Sequence, residues 1–322
     1  LQNPEVIRSE SDLSPPASAD RASTSAISIQ GLTKQYGPLT ALKNLNLDVL
    51  PGEIFGFLGL NGAGKTTAIR LLLDLLRPTS GRAFIFGCDC WTQSLQARAR
   101  IGYLPGELGF YLDLTGLETL DFLAGIHPRP VDKQYRQRLC DRLELPQSDL
   151  RRRLREYSTG MKRKLGIIQA LQANPPLLIL DEPTEGLDPL MQEAFYALIR
   201  DAKRAGSTVF MSSHVLSEVE RVCDRIALLR KGEMVLLSSV EESRCLAPRR
   251  VRVSFSEDVS TPPELPLGHQ LIEKTPRQWR LTVVGPLGPL FALLNGLPVE
   301  DIDTDEARLE DVVLSYYREE DK

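Results

Sequence analysis

The segment Gly59-Leu60-Asn61-Gly62-Ala63-Gly64-Lys65-Thr66 constrains this chain more than any other, because it fits G-x-x-x-x-G-K-[ST] in full. Ahead of it, Glu53-Ile54-Phe55-Gly56-Phe57-Leu58 reads as a short apolar strand. Behind it, Ala68 to Leu76 is apolar almost all round and reads as a buried helix, ended by Arg77-Pro78-Thr79-Ser80-Gly81. Glycines let successive backbone N–H groups turn inward around an anion. The helix N-terminus adds unpaired donors and partial positive charge. Lys65 brings a compact cation for outer phosphates, and the Thr66 hydroxyl can ligate Mg²⁺. A glycine turn that precedes a helix by coincidence is the plainer reading, and the strand before the loop weighs against it.

A second apolar strand, Leu177-Leu178-Ile179-Leu180, follows the turn Asn174-Pro175-Pro176 and ends on Asp181-Glu182. Ligands of open α/β sheets collect at the carboxyl ends of strands. Asp181 fits a Mg²⁺ partner acting through water, and Glu182 fits the group that orients and deprotonates an attacking water. Alone, such a pair reads as a solvated loop start; with residues 59–66 present it does not.

The rest of the chain sets limits. Its 322 residues suggest about two domains. Lys plus Arg minus Asp plus Glu is 39 − 43 = −4, which argues against a life on nucleic acid. No run of about 18 uncharged apolar residues occurs that could cross a membrane: Val283 to Val299 is uncharged but broken by glycines and prolines. Five scattered cysteines suggest a reducing cytosol rather than a disulfide framework, and three histidines make no metal cluster. Residues 1–26 are rich in Ser, Pro and charge, a composition expected of a disordered tail.

From Ile27 the texture changes. Ile27-Ser28-Ile29 and Leu45-Asn46-Leu47-Asp48-Val49 alternate as strands. Residues 108–170 read as helical and charged. A helix near 190–204 lies between strands at Thr208–Met211 and Leu177–Leu180, and another strand is expected at Arg225–Leu229. Strands alternating with helices imply a largely parallel sheet covered on both faces. Beyond Val240, alternation at Val251–Phe255 and Trp279–Val283, with helices at Leu290–Leu294 and Arg308–Tyr317, suggests a small α+β domain over 241–322.

Three further motifs discriminate among phosphate-loop proteins. Tyr157-Ser158-Thr159-Gly160-Met161-Lys162-Arg163-Lys164 opens a helix, with Gly160 lying 181 − 160 = 21 residues before Asp181. Asp181-Glu182-Pro183-Thr184-Glu185-Gly186-Leu187-Asp188-Pro189 extends the carboxylate pair. Ser212-Ser213-His214 follows the next strand, with His214 at 214 − 181 = 33 residues after Asp181. Together with residues 59–66, these strongly resemble the ATP-binding subunit of an ABC transporter over roughly Ile27 to Val240.

The resemblance implies an α/β fold: a P-loop NTPase with an ABC-type nucleotide-binding domain over 27–240, made of a mixed sheet core and a helical subdomain at about 108–170. It implies ATP and Mg²⁺ as ligands. Tyr36 falls where an aromatic stacks on adenine; Gly59, Leu60, Asn61, Gly62, Ala63, Gly64, Lys65, Thr66 and Thr67 hold the nucleotide; Thr66 and Asp181 serve the metal; Glu182 and His214 are catalytic. Ser158, Thr159, Gly160 and Met161 match the signature that faces ATP held by an opposite subunit, and Asp188 matches the loop crossing that interface. A homodimer, a separate membrane permease, no nucleic-acid partner, and a cytoplasmic, peripheral position on the inner face of the membrane follow from the same resemblance.

Two departures stand out. The signature reads Tyr-Ser-Thr-Gly-Met where the family has Leu-Ser-Gly-Gly-Gln, with Ser158 and Gly160 kept. Gly106 stands where a glutamine usually sits, with Glu107 one residue on. Leu114-Thr115-Gly116-Leu117-Glu118 and the C-terminal ending Ala307 to Leu314 resemble an export-type subset that includes drug and sodium exporters. Lys162-Arg163-Lys164 is expected to attract the partner's nucleotide, and Arg151-Arg152-Arg153 with Arg155 to be a solvated face. The competing readings are an ABC-type ATPase uncoupled from transport and a regulatory nucleotide sensor.

Overall fold

The computed structural model describes residues 25–246, 249–259 and 265–305. Its centre is β3 (Ile54–Leu58), buried at every position, as a central parallel strand must be. Its side chains part by the two-residue period: Ile54 and Leu58 join one apolar cluster, Phe55 and Phe57 another. On one side β3 pairs in parallel with β8 (Thr208–Ser213), followed by β7 (Leu177–Asp181) and β6 (Ile101–Leu104). On the other it pairs in parallel with β9 (Arg225–Arg230), which carries the antiparallel edge strand β10 (Glu233–Ser239).

The expected strands at Ile27–Ile29 and Leu45–Val49 form a separate antiparallel sheet, order β2-β1-β4-β5, from β1 (Ile27–Tyr36), β2 (Leu39–Val49), β4 (Ser80–Ile85) and β5 (Cys88–Asp89). Helix α1 (Lys65–Leu72) shares one cluster with both sheets: Ala68, Ile69, Leu71 and Leu72 are buried with Ile29 and Leu42 of one and Phe57 and Phe210 of the other. Burying each such large side chain is worth about 1.5–3 kcal/mol. The helix expected over 68–76 thus starts earlier and stops at Leu72. Asp74 takes the left-handed region at φ 58°, and the N–H groups of Leu75 and Leu76 both turn back to the Arg70 carbonyl. Ser25 and Ala26, counted with the expected tail, belong to the fold instead. Both are buried, and Ala26 N–H donates to Val49 O at 2.8 Å, because the sheet extends its pairing by one residue; residues 1–24 lie outside the described ones.

Helix α2 (Ser94–Arg98) precedes β6, and between β6 and β7 come α3 (Gly116–Ile126), α4 (Lys133–Arg142), α5 (Gln147–Leu150) and α6 (Thr159–Leu171). A capping box, with Thr115 and Glu118 bonding each other's backbone N–H, opens α3. Leu120, Leu139, Leu150 and Ile168 from these helices pack with Leu104, Leu178 and Leu180 of the central sheet. Helices α7 (Pro189–Arg204) and α8 (Leu216–Val222) complete that cluster through Phe195, Ile199 and Val219. The result is the mixed-sheet α/β core with a helical part that the sequence leads one to expect.

After α9 (Val240–Leu246), strands β11 (Arg249–Phe255), β12 (His269–Thr275), β13 (Gln278–Val283) and β14 (Val299–Thr304) form an antiparallel sheet in the order β12-β13-β11-β14. Leu290 and Leu294 of α10 (Gly288–Leu294) pack on its Val251, Phe255, Trp279 and Leu281. The helix expected at Arg308–Tyr317 lies outside the described residues. No helix among the described residues is long and apolar enough to cross a membrane.

Candidate nucleotide site

Residues 59–66 join β3 to α1 in a turn that only glycine backbone allows. Gly62 and Gly64 have φ of 81° and 109°, and a Cβ on Gly64 would lie 2.5 Å from Ala41 O. Ala63 is buried, whereas Leu60 and Asn61 are exposed. Lys65 opens α1 and is 6% exposed. Its Nζ donates to Gly59 O at 2.6 Å, and Glu182 Oε1 lies 3.2 Å away. Thr66 Oγ1 donates to Asp181 Oδ2 at 3.1 Å, and Thr67 follows half-buried.

Asp181 ends β7 and is 2% exposed. Its Oδ1 accepts from Ser212 Oγ at 2.5 Å, and Ser212 Oγ in turn accepts from Glu182 N–H at 3.0 Å. Glu182 adopts φ 48°, a left-handed conformation uncommon outside glycine. Its second oxygen meets His214 Nδ1 at 2.8 Å, just past β8. Lys65, Thr66, Asp181, Glu182 and His214 are therefore linked into one contact chain. Tyr103, at the end of β6, has its pKa raised to about 12, first by burial and then by the negative charge of Asp181.

Thr66 and Asp181 offer hard oxygens of the kind Mg²⁺ takes. Among the described residues no group of three or more His, Cys, Asp or Glu forms a metal cage. Gly106 backs onto this corner: a Cβ there would lie 3.4 Å from Asp181 Oδ2.

The signature residues form a second group. Ser158 caps α6, its Oγ accepting from Met161 N–H at 3.2 Å, and Thr159 is exposed beside it. Gly160 approaches the next loop closely, since a Cβ on it would lie 3.2 Å from Gly186 O. Asp188, exposed, caps α7 by accepting from Met191 N–H at 3.0 Å. Tyr36 stands apart at the end of β1, 44% exposed, with Lys34 Nζ 4.8 Å over its ring.

The ABC transporter family profile matches residues 42–185. A bacitracin transport ATP-binding protein of Enterococcus faecalis is 34% identical over 292 residues, 88% of this chain and 94% of that protein. The chain belongs to the ABC transporter family, as an ATP-binding domain. An uncharacterized ABC transporter ATP-binding protein of Nostoc sp. is 42% identical over 207 residues. That match takes in 63% of this chain and spans 61% of the relative's length, under two thirds of it. A solved ATP-binding subunit of an ABC transporter superposes with a TM-score of 0.63 at 29% identity, over 68% of this chain and 92% of that one.

Within this ABC domain, three residues carry positioning that the sequence did not assign. Ser212 ties Asp181 to the Glu182 backbone. Glu218, 8% exposed, accepts from Thr184 at 2.6 Å and Ser213 at 2.9 Å, holding the loop after β7 to the end of β8. Arg163 is the third: in the run Lys162-Arg163-Lys164, expected to attract a partner's nucleotide, it is the residue that turns inward instead. It is 4% exposed and spends its donors on carbonyls of its own chain. Ser212 had a signal, its place beside His214; a buried arginine inside a basic run had none. The other basic run keeps to the surface, where Arg152 pairs with Asp149 and Glu156, and Arg155 with Asp113.

Proposed function

We propose that this chain is the ATP-binding and ATP-hydrolysing subunit of an export-type ABC transporter, paired with a second copy and driving a separate membrane permease from the cytoplasmic face of the membrane. One observation carries the reading: Lys65 and His214 meet opposite oxygens of Glu182, beside Asp181 and Thr66.

In this reading the N–H groups of residues 60–67 and the start of α1 face the phosphates. Lys65, held between the loop carbonyl and Glu182, brings the outer phosphates to the carboxylate. Glu182 takes a proton from the attacking water, the new bond forms at the γ-phosphorus, and the bond to the ADP leaving oxygen breaks. His214 orients Glu182 through the 2.8 Å contact and reaches the γ-phosphate. Thr66 and Asp181 would hold Mg²⁺, which neutralises phosphate charge when bound. Tyr36 supplies a stacking face for adenine. Ser158, Thr159, Gly160 and Met161 present a helix N-terminus to the nucleotide of the second copy, and Asp188 sits in the neighbouring loop.

An apolar groove of about 710 Å³ supports the permease partner. Tyr103, Leu108, Phe110 and Leu123 line it, and Tyr111, Phe122 and Ile126 are largely exposed at its rim. Exposed aromatics clustered at one groove suit a protein partner. The bacitracin transport relative and the Leu114–Glu118 run favour export. The transported substrate would be chosen by the permease.

Gly106 favours a second reading, a nucleotide sensor that turns over poorly. Phosphate release by the purified protein, with Glu182→Gln as the control, separates the two. The transporter reading expects wild-type turnover about 10²-fold or more above the variant. Equal rates would favour the sensor.

A further inference from the structure

The cation run at the start of α6 looks solvated, yet Arg163 lies inside the molecule. Its guanidinium reaches two loops at once. Nε donates to Glu185 O at 3.1 Å, Nη1 to Pro105 O at 3.1 Å, and Nη2 to Gly106 O at 2.8 Å, with Glu185 Oε2 at 3.5 Å. Burial lowers its pKa, and the charges of Glu185, Asp181 and Glu182 pull the other way. A buried guanidinium is kept only where its donors are met, and a planar fork meets several carbonyls better than an ammonium does.

The two loops lead to different places. The one at 105–110 leaves β6, backs onto Asp181 at Gly106, and gives Pro105, Leu108 and Phe110 to the wall of the apolar groove. The one at 182–188 starts at the catalytic carboxylate, passes Gly160 at Gly186 and ends at Asp188. Gln169, two turns further along α6, also donates to Tyr103 O, so the helix grips the end of β6 twice.

We propose that Arg163 is a positioning residue that couples the groove to the nucleotide site, carrying movement of the 105–110 loop to the segment that holds Glu182 and Asp188. The coupling runs through backbone carbonyls, so it needs no side chain at Gly106. The proposal rests on the reading of the chain as an ATPase.

Arg163→Met keeps length and removes the donors; Arg163→Lys keeps charge and reaches fewer carbonyls. Hydrogen exchange on the full chain is expected to show peptides spanning 102–110, which take in the end of β6, and 182–188 losing protection together in Arg163→Met, less so in Arg163→Lys, with α1 unchanged. MgATP turnover is expected to lose about 10- to 100-fold in kcat. KM should move less than about threefold, as for a contact that acts on the reacting geometry, and Arg163→Lys should recover part of the rate. Protection lost in one loop alone or in neither, kcat unchanged in Arg163→Met, or no recovery by lysine would overturn the proposal. If Arg163→Met does not fold, Arg163→Gln takes its place in the same comparison. Wild-type protein with no turnover sinks the ATPase reading, while the exchange arm still decides whether Arg163 joins the two loops.

Discussion

Glu182 holds a left-handed backbone conformation that costs a non-glycine residue about 1–2 kcal/mol. Ser212 offsets that cost. Its hydroxyl accepts from the Glu182 N–H and donates to Asp181, fully buried beneath both. Ser212→Ala leaves a backbone N–H and a carboxylate oxygen short of a partner. It is expected to lower stability by about 1–3 kcal/mol in urea unfolding and to raise the Mg²⁺ concentration needed for half-maximal turnover. Unchanged unfolding and an unchanged Mg²⁺ titration would show that Ser212 is a bystander. Lys65 illustrates the reverse economy: it is buried, and carbonyl and carboxylate oxygens meet its charge on the side where phosphates are expected.

At the scale of elements, α6 and β6 must stay in contact for the two loops to be tied. Gly102 makes this possible, since a Cβ there would lie 2.1 Å from Ala170 O and 2.7 Å from Pro175 Cγ. Gly102→Ala is expected to destabilise the protein by about 1–3 kcal/mol, by overpacking against backbone that cannot rotate away. Thr115→Ala, which removes the capping box of α3, should cost about 1 kcal/mol and leave turnover intact. Thermal melts and turnover of the pair check both, and a Gly102→Ala protein as stable as the wild type would contradict the packing argument. Elements whose pattern is set by burial were legible in the sequence: β3 and β7 as apolar runs, α7 between strands, β11 and β13 by alternation. The end of α1 was not, because Asp74 and its left-handed turn carry no apolar signal. The antiparallel sheet was legible only as separate strands, since which strand pairs with which depends on long-range contacts. At the site, the phosphate loop and carboxylates were legible as motifs. Arg163 was not, because a guanidinium satisfied by distant carbonyls has the same sequence appearance as a solvated one.

Across the whole molecule, burial leaves a mark on alkaline stability. The Cys90 thiol is pushed up to about 12 from an ordinary 9.0, mainly by burial, and the Tyr103 and Tyr157 phenols to about 12 from 10.0 for the same leading reason. Between these values the unfolded chain has lost protons that the folded one keeps, so stability falls as pH rises. Their contribution is complete below about pH 9 and lost through about pH 12. Urea midpoints are expected to decline steadily across that window, and a flat profile would contradict the burial. All three groups lie in or beside the packed clusters that support the loops, so the packing that high pH undermines is the packing that keeps the site aligned. The central claim, that Lys65, Thr66, Asp181 and Glu182 converge on one magnesium-bound triphosphate, is tested most directly by titrating MgATP into wild-type and Lys65→Ala protein in a calorimeter. Saturable heat for the wild type, weakened by about 10²-fold or more in the variant, is the predicted result; a flat wild-type titration with well-folded protein, or equal binding by both, would contradict it.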